Sequence, residues 1–323
     1  MRYFGKRLLQ SFFLLLGVSL LSFVFVELAP GNFFDEMRLN PQISSATVAN
    51  LRKQYGMDQP LPVRYFRWLS SAAKGELGFS FAYNAPVAPL LWARARNTLL
   101  LTGSATLLAW LIALPLGILS AERRRGWIDH GCTLVISALL ATPDLLLVLG
   151  FLLLAVRTRY FPAGGMVSPG SGGQGQWKQL KDIAAHLAVP VVVLVLGNLP
   201  ILVRHTRAAM LEVLDSSYVR GARAHGISSS RILFRHALPA AVNPLVSLFG
   251  FSLASLLSAS LLTEVVMSWP GLGPLVLEAV LARDLYVVIG AVMFSSLFLV
   301  FGTLLADVLL FAADPRIRTE KLA

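Results

Sequence analysis

Carboxylates and amides set inside long apolar runs, together with one basic segment lying between two such runs, are the residues here whose types could do chemistry. Asp144, Glu264 and Asp307 lie within apolar stretches, where a carboxylate at bilayer centre costs roughly 2.5–3.5 kcal/mol on insertion scales. A charge kept at that cost can titrate, gate a path or fix a turn. Asp307 is near the end of its run, within reach of the interface. Asp144 follows Pro143, where a short acidic side chain can cap a restarted helix. Glu264 precedes Ser268-Trp269-Pro270-Gly271-Leu272-Gly273-Pro274, a sequence that forces a non-helical turn. Asn198 interrupts another apolar run. Ser247, Ser252, Ser255, Ser258, Ser260 and Thr263 share one run; they either line a polar path or bond to their own i−4 carbonyls.

Other chemistries are excluded by what the chain lacks. The five histidines show no HExxH spacing, and the only Gly-Lys pair, Gly5-Lys6, is followed by Arg7, so no P-loop exists. Cys132 stands alone, which rules out an internal disulfide framework and a thiolate-rich metal site. A membrane-embedded hydrolase would need a Ser/His or metal pairing at depth, yet the histidines mostly fall in or beside loops. The rival that survives is a secondary transporter or channel driven by an ion gradient, with Asp144 or Glu264 titrating.

The elements that must position these groups are membrane helices. Hydrophobic residues make up 56% of the 323 and charged residues 14%, against roughly 25% charged in a soluble domain; mean hydropathy is +0.68. About 20 apolar residues span a bilayer core, and six stretches qualify: 8–28, 98–120, 132–156, 187–203, 242–265 and 286–312. The first is too long for a signal peptide and lacks a small-x-small cleavage site, so it reads as an uncleaved span. Lys and Arg outnumber Asp and Glu by 28 to 17, but they cluster at the ends of apolar runs, where topology accounts for them without nucleic acid. With both termini cytoplasmic, 15 of the 28 basic residues fall in short inside segments; eight of the other 13 lie in 30–97, too long a segment to weigh.

Small residues Ala105, Ala109, Ala113 and Gly117 recur every four positions in the second span, a stripe that lets two helices approach closely. Pro190, Gly197 and Pro200 predict a short, broken fourth span facing the interior, and Gly164 through Gly175 predict a flexible loop before it. In the 30–97 segment, Ser44 and Ser45 predict a capped helix over 46–55 and Pro62 opens another over 62–73. That segment has too few aliphatics for a core of its own and is expected to pack on the extracytoplasmic face of the bundle.

Between the fourth and fifth spans, residues 204–241 form a cytoplasmic loop. Asp215-Ser216-Ser217 can cap a short helix, Tyr218-Val219-Arg220-Gly221-Ala222-Arg223-Ala224-His225, that stops at Gly226. Ser228–Ser230 can cap another over 231–238, ending before Pro239. Physics alone leaves two readings of the short helix: a partner-docking element, or a basic amphipathic helix on anionic lipid.

The segment from Tyr218 to Gly226, with Leu238-Pro239 thirteen residues beyond, resembles the EAA loop of ABC importer permeases. The variant is similar to the dipeptide/oligopeptide importers, in their B-type subunit. Further matching segments run along the whole chain in order: Leu28-Ala29-Pro30-Gly31, Tyr55-Gly56-Met57-Asp58-Gln59-Pro60-Leu61-Pro62, Gly75-Glu76-Leu77-Gly78-Phe79-Ser80, Phe161-Pro162, Glu264 to Gly273, and Asp314-Pro315-Arg316-Ile317-Arg318. The family usually has Lys at His225, Thr or Ser at Gly221, and Phe at Met267.

The resemblance implies an all-α integral membrane protein with six spans, a type I ABC importer permease, multi-pass in a bacterial-type inner membrane. Its parts would be the N-terminus and first span (1–29), an extracytoplasmic segment (30–97), a five-span core (98–312) and a cytoplasmic tail (313–323). It implies a second homologous permease, two cytoplasmic ABC ATPases that dock on Tyr218, Arg220, Ala222, Arg223, His225 and Gly226, and an extracytoplasmic binding protein. ATP and Mg would belong to the ATPases and no cofactor to this chain. Glu264, Asp144, Asn198, Ser255 and Ser258 are the candidates for gate or translocation path.

Overall fold

The structure, a computed structural model, describes residues 2–28, 31, 33–38, 44–173 and 175–313. The Asp314–Arg318 motif, the rest of the tail and the Ala29-Pro30 pair lie outside the described residues. In chain order the helices are α1 (Arg2–Leu28), α2 (Phe33–Arg38), α3 (Ser45–Gln54) and α4 (Leu61–Ala72), then a short antiparallel hairpin of β1 (Phe79–Ser80) and β2 (Ala85–Pro86). They continue as α5 (Val87–Glu122), α6 (Trp127–Ala141), α7 (Asp144–Thr158), α8 (Gln176–Leu214), α9 (Ser217–Ala224), α10 (Ser229–Ile232), a π turn (Leu233–Ala237), α11 (Leu238–Val266), α12 (Leu272–Leu281) and α13 (Leu285–Ala313). Among the described residues five helices, α1, α5, α8, α13 and the run Ser229–Val266, are long and apolar enough to cross a membrane; the pair α6 and α7 makes a sixth if counted as one span. The chain divides into two compact units, Met1–Thr98 with Pro270–Phe298, and Leu99–Trp269 with Leu299–Ala323.

In the first unit the segment between α1 and α5 packs through aromatics. Tyr65 and Trp68 of α4 bury against Phe23 of α1 and Ile289 of α13, and the Ser19 hydroxyl lies 2.9 Å from the Tyr65 hydroxyl. Ser44 caps α3 by accepting from the Thr47 N–H, as its sequence leads one to expect. The hairpin is held by the buried carboxylate of Asp284, which accepts from Ser80 Oγ at 2.7 Å and the Ala82 N–H at 3.1 Å. Tyr83 donates to Glu278 of α12, and Asn97 donates to the Pro270 carbonyl at 2.8 Å.

The second unit holds the larger core, built from α5, α6, α8, α9, the π turn and α11. Ala105, Ala109, Ala113 and Gly117 are all buried, and a Cβ on Gly117 would sit 2.6 Å from the Cβ of Thr206 on α8. The small stripe therefore sets a backbone-close contact between α5 and α8. Trp110 of α5 donates to Ser252 Oγ of α11 at 2.9 Å.

The third span restarts at Asp144, as the Pro143-Asp144 pair leads one to expect: α6 and α7 meet at 98° across Thr142-Pro143, because Pro143 lacks an N–H and forces Thr142 into the extended region. Three other expectations are corrected. The fourth span is neither short nor broken: α8 is a continuous helix of 39 residues through Pro190 and Pro200. Both prolines are buried, and neighbouring helices shield the few backbone groups they free. The helix expected to end at Leu238 instead runs through the π turn into α11, because Pro239 falls in the first turn of α11, where a missing N–H is tolerated. The second span begins at Val87, eleven residues before its expected start.

Candidate functional site

The short helix between α8 and α11 is built much as its sequence leads one to expect. Ser216, with extended backbone, sits at the N-cap of α9. Its hydroxyl donates to the Val213 carbonyl at 2.6 Å rather than capping α9. At the other end Gly226 takes φ +77°, its N–H bonds to Arg223 at 2.9 Å and that of Ile227 to Ala222 at 3.2 Å. This 5→2 and 6→1 pair is a Schellman motif, which wants glycine at the left-handed position. His225 Nδ1 lies 2.8 Å from the Gly221 carbonyl.

Only Val219 of α9 is fully buried, against the second-unit core. Tyr218, Arg220, Arg223, His225 and Gly226 are exposed, with Tyr218 at 51%. Ala222 is half-buried and packs on the core beside Ile227. The helix thus stands on one apolar foot and presents two guanidiniums, an imidazole and a phenol outward. Such a face can receive a partner surface with acidic and aromatic groups.

The candidate path residues are partly brought together. Asn198 of α8 is 8% exposed; its Oδ1 accepts from Ser255 Oγ of α11 at 3.3 Å and its Nδ2 donates to the Leu194 carbonyl at 3.3 Å. Asp144 is the first residue of α7, at the 98° break. Pro143 holds the N-cap position and no side chain caps α7, so the expected capping role is not seen. The Asp144 carboxylate lies 3.5 Å from where a Cβ on Gly197 would stand, one residue from Asn198. Ser258, one turn beyond Ser255 on α11, is exposed. Glu264 is fully buried, and its carbonyl accepts the Trp269 N–H at 2.8 Å, closing the turn after α11.

Two features were not legible in the sequence. The glycine-rich connection before α8 is tied to that same turn: Gly165 donates to the Met267 carbonyl at 3.0 Å, and a Cβ on Gly164 would stand 2.7 Å from that oxygen. Asp129, 5% exposed, receives Arg207 Nε at 2.7 Å and Nη2 at 2.8 Å. Ser120 and the Arg125 N–H complete its shell. An acidic residue in the first turn of a helix was a weak signal for the second; nothing in the chain order pairs positions 78 apart.

Residues 113–319 match the family described as the binding-protein-dependent transport system inner membrane component, and residues 1–102 match the N-terminal part of such membrane components. The chain belongs to this family. It is a multi-pass permease of the inner membrane, a transport subunit of an ABC importer rather than an enzyme. The permease is 36% identical over 320 residues to the oligopeptide transport system permease protein AppB of Bacillus subtilis (strain 168), covering 98% of each chain. It is 33% identical over 325 residues to the dipeptide transport system permease protein DppB of Escherichia coli (strain K12), covering 95% of each. Among solved structures it resembles a chain of the MetNI methionine ABC transporter, with TM-score 0.55 and 20% identity over 70% of this chain and 96% of that one. That likeness is one of fold, the type I importer permease.

Proposed function

We propose that the permease is the B-type subunit of a peptide importer and pairs with a second, homologous permease to form the translocation path. The peptide substrate rests on the names of its full-length relatives. In this reading both termini are cytoplasmic, a binding protein delivers the peptide from outside, and two cytoplasmic ATPases drive transport. Each permease receives one ATPase. On this chain it docks on α9 through Tyr218, Arg220, Ala222, Arg223, His225 and Gly226. Asp144, Asn198, Ser255 and Ser258 belong to the translocation path, and Glu264 gates it or fixes the outer turn.

The observation that carries this reading is α9 itself, an eight-residue helix with one buried residue and an outward basic face, closed by Gly226. ATP-driven closure of the ATPases would displace α9 as a rigid element and shift the spans between inward- and outward-open populations.

The test is uptake of a labelled dipeptide by vesicles holding the complete transporter. Gly226→Val forces a β-branched residue into a left-handed conformation. It should leave ATP hydrolysis running while uptake collapses. Uptake at the wild-type rate would remove the docking assignment.

A further inference from the structure

We propose that Asp129 and Arg207 are positioning residues of the transport cycle: their bidentate pair clamps the α5–α6 corner to the end of α8 that carries α9, so that the two are displaced together. The inference rests on the reading of α9 as the ATPase-docking helix.

Three elements meet on one carboxylate. Arg207 lies seven residues before the end of α8 and reaches both Asp129 oxygens, at 2.7 and 2.8 Å. Ser120, near the end of α5, donates to Oδ1, and the Arg125 N–H donates to Oδ2 at 3.0 Å. Arg125 sits at φ +62°, a left-handed conformation uncommon for a residue with a Cβ, and that backbone aims its N–H at Asp129. A second pair, Arg124 with Asp215 at 3.0 Å, spans the same gap at the surface, where solvent screening leaves it little strength.

Stability alone is a poor reason for such a pair, since an apolar pair of similar volume commonly holds a fold as well or better. What an apolar contact cannot do is fix rotation and register. A planar guanidinium forked onto a carboxylate held from two other sides permits neither helix to turn or slide without losing both bonds. The path on either side is stiff. From Arg207, α8 continues without a break to Leu214, and only Asp215 and Ser216 separate it from α9. From Asp129, α6 runs as a rod to the break at Thr142-Pro143, where Asp144 meets α8 at Gly197. The clamp therefore ties movement of the docking helix to the break that presents Asp144.

The test uses the whole transporter, with its second permease, ATPases and binding protein, in nanodiscs. Spin labels go on Trp127→Cys of α6 and Glu212→Cys of α8, both exposed, in a Cys132→Ser background. Trapping with ATP and vanadate in the presence of dipeptide, with retained nucleotide confirming the trap, should leave the label distance of the wild-type pair unchanged. Asp129→Asn and Arg207→Lys should each broaden or shift that distance and lower dipeptide uptake about tenfold at preserved ATP hydrolysis, a size typical of coupling residues. Arg207→Lys keeps the charge but loses the fork, so a merely charge-balancing pair would tolerate it. The double variant Asp129→Leu/Arg207→Met removes both charges; it should recover thermal stability but not uptake. A label distance that changes on trapping in the wild type, or wild-type uptake in Arg207→Lys or the double variant, overturns the clamp. Should the single variants fail to assemble, the wild-type distance and the double variant decide. Absence of ATPases from the purified wild-type complex would instead overturn the docking reading.

Discussion

Gly117 has no room for a side chain, because Thr206 of α8 occupies the place where one would go. Gly117→Leu should therefore lower the stability of the purified permease by about 1–3 kcal/mol through overpacking, read as an earlier midpoint in detergent thermal denaturation. Tyr83 offers a second check at this scale. Burial, then donation to Glu278, disfavours its anion and pushes its pKa up to about 12, against about 10 for a free tyrosine. A raised value stabilises the hairpin fully below the free pKa and is lost as pH rises towards the folded one. Protease resistance of residues 79–86 should accordingly fall between pH ~10 and ~12, and Tyr83→Phe should flatten that decline. At this scale the sequence is legible where a residue answers to its near neighbours. Gly226 ends a helix and Ser44 begins one for reasons confined to a few positions. Asp129 and Arg207 are opaque for the opposite reason: each reads as an ordinary charged residue at a helix end until the fold brings them together. Gly164, which reads as loop flexibility, is glycine because the Met267 carbonyl sits against it.

Among the elements, α9 depends most on a single contact. Val219 is its only fully buried residue, and burying a valine is worth about 1.5–3 kcal/mol. Val219→Ser forfeits most of that and buries a hydroxyl instead. Less ATPase should then remain with the permease on size-exclusion chromatography, while the permease itself still elutes as a folded species. The prolines show where element-level reading succeeds and fails. Pro143 breaks a span and Pro190 and Pro200 do not, though all three lie in apolar runs. The sequence marks where a backbone donor is missing; it does not mark whether the helix survives the gap. Exposure alone does not decide it, since Pro115 within α5 and Pro244 within α11 are exposed like Pro143 and leave their helices continuous; at Pro143 the preceding Thr142 adopts the extended conformation. The hairpin went unforeseen because its strands have two residues each, too few for any alternation to appear.

For the whole molecule, apolar run length and the order of motifs were enough to anticipate a multi-span importer permease. The division of the chain into two compact units was not. It cuts through α5 and α13, and a continuous apolar helix carries no mark of where its packing partners change. Orientation is a whole-molecule property that follows from the short basic flanks. A fluorescent protein fused after Ala323 should fluoresce and a periplasmic phosphatase fused there should stay inactive; the reverse pattern would invert the topology.

A helix of 39 residues is about 58 Å long at 1.5 Å per residue. Tilted by as much as 40°, it still extends about 44 Å along the bilayer normal, as far as a bilayer with its headgroups is thick. The far end of α8 is therefore carried to the headgroup surface or beyond it whatever lipid surrounds the permease. If α9 receives an ATPase as proposed, Arg220 and Arg223, held just past that end, meet it in salt water, where charges feel one another over only about 8 Å. The grip of the ATPases should thus answer to ionic strength, and hardly at all to the acyl-chain length of the membrane.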